Sequence, residues 1–198
     1  MKYITLTLAM MAVLLTLVTG CKKDSDNTAP ILGHFIYDGS SYSLSQGFII
    51  GYGPSDTTSF GIDLVLMSSG LTIIESGGTA TTVTGNGEVF GLSLFSTTQT
   101  VLEPGNYTFG LSQEAGTCTD GFLFIQYDPK NDEVVKQDAI TGGTLVVTKV
   151  GDQYDLTMNM TTYLGKTTTA NFKGTLSYLV AETKSLSLIQ QAFLFFHQ

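Results

Sequence analysis

The first residue with an evident chemical use is Cys21, because of what precedes it. Met1-Lys2-Tyr3 gives the chain a short basic start, residues 4–18 form an apolar run, and Thr19-Gly20 places two small residues before the cysteine. Parts in that order are typical of a secretory signal peptide, and the apolar run is too short to span a bilayer. The chemistry expected is cleavage before Cys21, whose thiol can carry a lipid in place of the signal peptide.

The residues around Cys21 resemble a known processing site. Leu17-Val18-Thr19-Gly20-Cys21 is similar to a bacterial lipobox, which is lipidated at its cysteine and cleaved there by the lipoprotein signal peptidase. It departs from that pattern three positions before the cysteine, where Val18 replaces the usual Leu. The resemblance implies that residues 1–20 are a lipoprotein signal peptide and that Cys21 is the lipidation site. Ordinary secretion with a chance cysteine is the alternative.

Cys118 is the other cysteine, so a lipidated Cys21 leaves no partner for an internal disulfide. Cys118 lies in residues 116–120, a segment that predicts a turn followed by a strand. Neither His34 nor His197 is close in sequence to activate its thiol. We therefore expect Cys118 to be a small, half-buried structural side chain. The two histidines also lack partners at zinc spacing, so no metal site is expected from them.

Carboxylates are the remaining groups that could do chemistry. Asp63, Glu88 and Asp155 lie within predicted strands, and two inward-facing carboxylates would suit a glycan hydrolase. Alternation places Asp63 and Asp155 opposite the apolar residues, however, so we expect both to be solvated.

Residues 128–133 could offer oxygens to calcium, but the EF-hand pattern fails there and its Asp, Pro and Asn favour a hairpin turn. No motif for a serine nucleophile or a nucleotide is present, so we expect no catalytic residues and no cofactor.

The composition excludes one class of partner. The chain has 198 residues and a net charge of −8, and all nine of its basic residues are Lys. Binding to nucleic acid needs a basic surface, and without Arg the bidentate fork that recognises phosphate is missing. No nucleic-acid partner is expected. A chain of this length suits a single domain.

The elements that must position these residues are strands. From residue 31 onward apolar and polar residues alternate with period two, and Gly, Asn, Asp and Ser separate the segments. The predicted strands are 34–37, 41–52, 60–67, 71–75, 89–96, 106–110, 122–127, 144–150, 154–160 and 168–179. The last three form an antiparallel meander. About ten strands with tight turns predict an all-β fold, an antiparallel β-sandwich, with an up-and-down or calycin-like β-barrel as the alternative.

The ends of the mature chain differ from this pattern. Residues 21–30 are polar and end in Pro30, which predicts a flexible tether in front of one β domain over residues 31–198. From about residue 180 the chain becomes an apolar C-terminal extension, either a strand or a short helix. Packing on the domain is the expected role of this extension, and contact with a membrane is the alternative. Most aromatic residues fall on the core parity, but Tyr52 is expected to be exposed in a loop.

The tether and several strand-and-turn segments resemble one bacterial group. Lys22-Lys23-Asp24-Ser25-Asp26 is similar to the charged leader that follows the lipidated cysteine in many surface lipoproteins of the Bacteroidota. Residues 35–44, 102–109, 143–147 and 173–176 occur in an order similar to that of a group of uncharacterised lipoproteins of this type. The resemblance implies an outer-membrane location facing the cell exterior. The family offers no established catalytic residues.

From these features we expect a lipid-anchored protein of the cell envelope, attached to the outer membrane through Cys21 and exposed at the cell surface. Its role would be binding, adhesion or assembly without catalysis, with a glycan or a protein as ligand. Two alternatives remain: a lipocalin-like carrier of a small apolar ligand, and a carboxylate-dependent glycan hydrolase.

Overall fold

A computed structural model describes residues 29–54, 58–76 and 79–181, and its regular elements are all strands, which confirms the all-β prediction. Cys21, most of the tether and the apolar stretch after residue 181 lie outside the described residues. The strands are β1 (Gly33–Tyr37), β2 (Ser40–Leu44), β3 (Gln46–Pro54), β4 (Phe60–Met67), β5 (Leu71–Ser76), β6 (Thr79–Gly85), β7 (Gly87–Ser96), β8 (Gly105–Phe109), β9 (Thr117–Asp128), β10 (Glu133–Val150), β11 (Gln153–Thr162), β12 (Thr167–Gly174) and β13 (Ser177–Ala181). Over these ranges no helix is long and apolar enough to cross a bilayer.

The described strands belong to one mixed sheet, and most of this sheet curls into a half-barrel. Their order is β2-β1-β12-β11-β10-β8-β9-β7-β4-β3-β13-β6-β5, and β10 also pairs with β9. Most pairings are antiparallel, but β13 runs parallel to β3 and β6, and β8 runs parallel to β9. The curl brings β2 into contact with β4 and β7. The architecture thus combines the curled sheet of a barrel with the two layers of a sandwich.

The concave side of the half-barrel holds the larger core, because alternate residues of every curled strand point into it. Phe35 of β1 and Phe90 of β7 meet there with ring centroids 5.7 Å apart, and Phe35 also stacks on Tyr42 at 4.9 Å. Residues with the clearest sequence alternation, Tyr154, Leu156 and their successors in β11, are buried in the same cluster. Aromatic rings from strands far apart in the sheet therefore fill the concave side.

A second core lies on the convex side of β3, β4, β7 and β9. Phe48, Val65, Val89 and Phe124 are buried there against Leu71 of the β5–β6 hairpin, and Leu179 of β13 belongs to the same cluster. These four strands are consequently covered on both faces. Their sequences are apolar on both parities, as in Leu64-Val65-Leu66-Met67, which is typical of strands buried on both sides.

Several strand predictions needed correction. The strand predicted over 41–52 is two strands separated by Ser45, and the strand predicted over 168–179 ends at Gly174, after which β13 leaves the meander to pair with β3. β6 was not predicted, because its Thr-rich sequence carries little apolar alternation. The alternation also predicts that turns at residues 151–153 and 164–166 join the strands of the meander; both turns are confirmed, as is the hairpin turn at residues 128–133.

The close approach of β1 to β12 makes a prediction about Gly33. A Cβ added at Gly33 would overlap the backbone carbonyl oxygen of Asn171, whereas a Cβ at Gly61 would meet only the Phe95 ring at 3.8 Å. We expect Gly33→Ala to lower the free energy of unfolding by about 1–3 kcal/mol, since strand backbones cannot yield without losing their pairing. Gly61→Ala, the matched control, should change it by less than about 1 kcal/mol. Urea denaturation measures both, and equal stability of the two variants would contradict the register described.

Candidate functional site

A row of polar side chains crosses the convex side of the sheet where the second core ends. Asp63 of β4 lies opposite Ser93 of β7, and Ser93 lies opposite Asp120 of β9. The Ser93 hydroxyl donates a hydrogen bond to Asp63 Oδ1 at 2.6 Å, and the Tyr52 hydroxyl donates one to Asp63 Oδ2 at 2.5 Å. We call Tyr52, Asp63, Ser93 and Asp120 the Asp63 cluster.

Irregularities in two strands accompany the cluster. The pairing of β3 with β4 shifts between Gly51 and Gly53, which makes Tyr52 the extra residue of a bulge. The pairing of β7 with β9 shifts between Ser93 and Leu94, beside Asp120. Bulges redirect side chains and are frequent at functional sites. Here the β3 bulge occurs at the residue whose hydroxyl reaches Asp63.

Burial dominates the electrostatics of the cluster. Asp63 is 3 % exposed, and its burial raises the pKa of the carboxyl to about 6. The hydrogen bonds from Ser93 and Tyr52 oppose this rise, and the neighbouring Asp120 carboxylate adds to it. Burial also raises the pKa of the Tyr52 phenol, and the Asp63 charge raises it further. Asp63 therefore titrates near neutral pH while both hydroxyls remain protonated donors.

These observations correct two expectations. Asp63 was expected on the solvated face, but the convex side at β4 is covered, so its carboxylate is buried. Tyr52 was expected to be exposed in a loop; its exposure is confirmed at 43 %, but it lies in β3. The Val65 and Met67 side chains share the parity of Asp63 in an apolar run, and this was the sequence signal for burial on that face.

The carboxylates considered for a glycan hydrolase do not converge. Asp155 lies on β11 and pairs with Lys173 of β12, whose Nζ is 2.9 Å from its Oδ2. Glu88 lies near the start of β7, five residues from the Ser93 that contacts Asp63. The solvation expected of Asp155 is confirmed, because its side chain is 48 % exposed. Asp63 is the buried member of the three.

A second group of polar side chains lies at the end of β1. The Tyr37 hydroxyl donates a hydrogen bond to Asp138 Oδ2 at 2.8 Å, and Asp138, 2 % exposed, also accepts one from the backbone of Leu164 at 3.3 Å. Lys166 Nζ lies 2.8 Å from Asp38 Oδ1 and 5.1 Å from the centroid of the Tyr37 ring. Burial and the Asp138 hydrogen bond raise the pKa of Tyr37. These contacts tie the β11–β12 turn to β1 and β10, which is a structural role.

The remaining candidates have structural roles as well. Cys118 is fully buried in the concave core, and burial raises the pKa of its thiol to about 12, so it is a poor nucleophile. This confirms the structural interpretation of Cys118. His34 Nε2 lies 3.4 Å from Asn171 Nδ2 across β1 and β12. His197 lies outside the described residues.

The acidic segment at residues 128–133 forms the β9–β10 turn. Asp128 Oδ1 accepts a hydrogen bond from the Lys130 backbone at 3.0 Å, and its Oδ2 accepts one from Asn131 Nδ2 at 2.7 Å. Asp132 completes the turn with a φ of 55°. Within the described ranges, no group of three or more His, Cys, Asp and Glu side chains is arranged to hold a metal ion.

The convex side of the other strands presents a broad uncharged surface, which we call the polar outer face. Two rows of cross-strand neighbours form it. The first row is Ser43, His34, Asn171, Thr157, Val146 and Asn106. The second row is Ser41, Ile36, Thr169, Asn159, Thr144 and Thr108. All of these side chains are exposed except the half-buried His34.

The polar outer face carries neither a carboxylate nor an amine in its two rows. Asp155 and Lys173 lie two residues beyond the first row and form an ion pair, and Asp38, two residues beyond Ile36, pairs with Lys166. Local alternation predicted the outward parity of β11, but not the rows, because the rows depend on which strands become neighbours. A surface of this composition can exchange hydrogen bonds with a ligand, and His34 is the one titratable side chain in its two rows.

Comparison with known proteins identified no relatives: no family model, no curated protein and no solved structure matches the chain.

The buried Asp63 carboxyl makes stability depend on pH. Its pKa of about 6 in the folded state exceeds the value near 3.9 of an unfolded chain, so the folded state binds more protons between these values. The contribution of Asp63 to stability is therefore greatest below about pH 4 and is lost as the pH rises through about 6. Relative to wild type, Asp63→Asn should gain roughly 1–3 kcal/mol of unfolding free energy between pH 4 and pH 7.

Urea denaturation at a series of pH values measures this change. Tyr52→Phe provides a second test. Loss of the Tyr52 hydrogen bond should raise the pKa of Asp63, so the stability that Asp63 contributes should be lost at a higher pH than in wild type. A constant difference in stability between Asp63→Asn and wild type across this range would contradict the raised pKa.

Proposed function

We propose that this chain is a lipid-anchored protein of the cell envelope, held at the outer membrane through Cys21 and facing the cell exterior. Its β domain binds, adheres or assembles and does not catalyse. The observation that carries the proposal is the setting of Cys21, which follows a basic start, an apolar run and two small residues. Acyl chains on this cysteine would hold the protein at the membrane, since each buried CH₂ contributes about 0.8 kcal/mol.

The start of the β domain is compatible with such an anchor. Ala29 and Pro30 are exposed, and β1 begins at Gly33. The eight residue steps from Cys21 to Ala29 can reach at most about 30 Å. A domain attached in this way would stay close to the membrane surface. The charged residues of the tether, Lys22-Lys23-Asp24-Ser25-Asp26, support export to the outer face by their resemblance to Bacteroidota leaders.

The candidate catalytic groups support a non-catalytic role. The Asp63 carboxylate is buried, the Asp155 carboxylate is paired with Lys173, and the Cys118 thiol is buried. A general acid or base must reach the reacting atoms of a substrate, within about 3 Å or through one water. A glycan hydrolase is consequently a weaker candidate than a binding protein.

The packing of the concave side weighs against a lipocalin-like carrier. A carrier of a small apolar ligand needs an apolar cavity inside its curled sheet. Phe35 and Phe90 approach across the concave side to 5.7 Å, and Tyr107 and Phe172 are buried in the same cluster. We therefore place binding on the outside of the domain.

Metabolic labelling with a fatty acid tests the anchor. Wild-type protein should incorporate the label, and Cys21→Ser should lose it, because the acceptor thiol is gone. Cys118→Ser is the matched control: its thiol is buried in the core, so its replacement should leave labelling intact. Equal incorporation by wild type and Cys21→Ser would remove the lipid anchor from the proposal.

Protease treatment of intact cells tests the orientation. A domain that faces the exterior should be digested together with a known surface protein, while a periplasmic marker survives. Exchanging Asp24 and Asp26 for Ala should reduce digestion if these residues direct export. Survival of the wild-type domain beside a digested surface protein would place it on the periplasmic side instead.

A further inference from the structure

We propose that the polar outer face binds a neutral polysaccharide, along the two rows that cross β2, β1, β12, β11, β10 and β8. This inference rests on the proposed function, in that it names the ligand class of a binding protein. It does not depend on the lipid anchor.

The chemistry of the face suits a sugar polymer. Hydroxyl and amide groups both donate and accept hydrogen bonds, and sugar hydroxyls do the same. The two surfaces can therefore form hydrogen bonds with each other without any charged group. Thr157, Asn159, Thr169 and Thr144 lie beside one another in the middle of the face. The methyl groups of the threonines and the exposed Ile36 and Val146 side chains add apolar contacts for the C–H faces of sugar rings.

The size of the face suits an extended ligand. Neighbouring strands lie about 4.8 Å apart, and residues two apart along a strand are about 6.7 Å apart. Six adjacent strands therefore offer a row roughly 24 Å long, with a hydrogen-bonding side chain at most positions. Each contact would be weak, but a repeating polymer engages many of them at once.

Charge and side-chain type exclude other macromolecules as the favoured ligand. The two rows contain no Lys and the chain contains no Arg, so nucleic acids and anionic polysaccharides find no counter-charge. Protein interfaces are centred on Trp, Tyr, Met or Arg, and the rows contain none of these anchors. A neutral, polyhydroxylated polymer needs neither a counter-charge nor such anchor residues.

Native gel electrophoresis of the detergent-solubilised full chain through gels that contain a dissolved polysaccharide tests the proposal. The neutral probes are dextran, galactomannan, glucomannan and mixed-linkage β-glucan, and the charged probes are heparin and polygalacturonate. We expect at least one neutral probe to retard the protein. The retardation should persist when salt is raised from about 0.05 to 0.5 M, since screening does not affect uncharged pairs.

Isosteric substitutions locate the binding surface. The triple variant Thr157→Val, Thr169→Val and Thr144→Val removes three hydroxyls while keeping side-chain shape and strand propensity. Its affinity for the retarding polysaccharide should fall at least tenfold. Thr72→Val, Thr82→Val and Thr84→Val, on the exposed β5–β6 hairpin, form the matched control and should bind like wild type.

Absence of retardation by every neutral probe, retardation by charged probes alone, or equal binding by wild type and the first triple variant would each overturn the inference. The fatty-acid labelling of Cys21 reports separately on the anchor. A lipidated protein that fails to bind removes only the ligand class, and an unlipidated protein that binds removes only the anchor.

Discussion

Burial of β3, β4, β7 and β9 on both faces is the constraint on which the rest of the fold depends. These strands contribute to the aromatic core on the concave side and to the smaller core under β5, β6 and β13. A polar side chain on either face must therefore form its hydrogen bonds with other protein groups, because water is not available to it. Asp63 does so through Ser93 and Tyr52, and the described part of the chain contains no buried side-chain polar atom without a partner. Such complete pairing limits the registers that these strands can adopt.

Strands with one solvent-exposed face were predicted better from the sequence than strands that are buried on both faces. β11 alternates strictly, and its predicted faces are confirmed. In β4 the apolar residues occupy both parities, which indicates two covered faces, but the expectation for Asp63 rested only on its alternation with Ile62 and Leu64 and therefore placed it on a solvated face. β13 could not be predicted as a separate strand, because its parallel pairing with β3 joins residues more than a hundred positions apart. Pairing at that distance leaves no local pattern.

The same distinction applies to the candidate sites. Local alternation predicted that Thr157 and Asn159 point outward, but the polar outer face exists only because β1 and β2 join the meander at its β12 edge. The Asp63 cluster likewise combines residues from four strands. Cys21 is different, since its proposed role depends on neighbours in sequence alone. The sequence therefore indicates the proposed anchor directly, whereas the proposed binding surface can be recognised only once the strand order is known.

The position of β1 has a mechanical consequence. β1 is the first strand of the described residues, after the predicted tether, and it is held between β2 and β12 by antiparallel pairing on both edges. Antiparallel hydrogen bonds lie perpendicular to the strands. A pull on the chain before Gly33 that is directed along β1 would therefore load these bonds together, in shear, rather than open them one at a time. A domain tethered at this end and held by a ligand on its outer face would resist detachment by flow, because extracting β1 requires breaking both of its ladders at once.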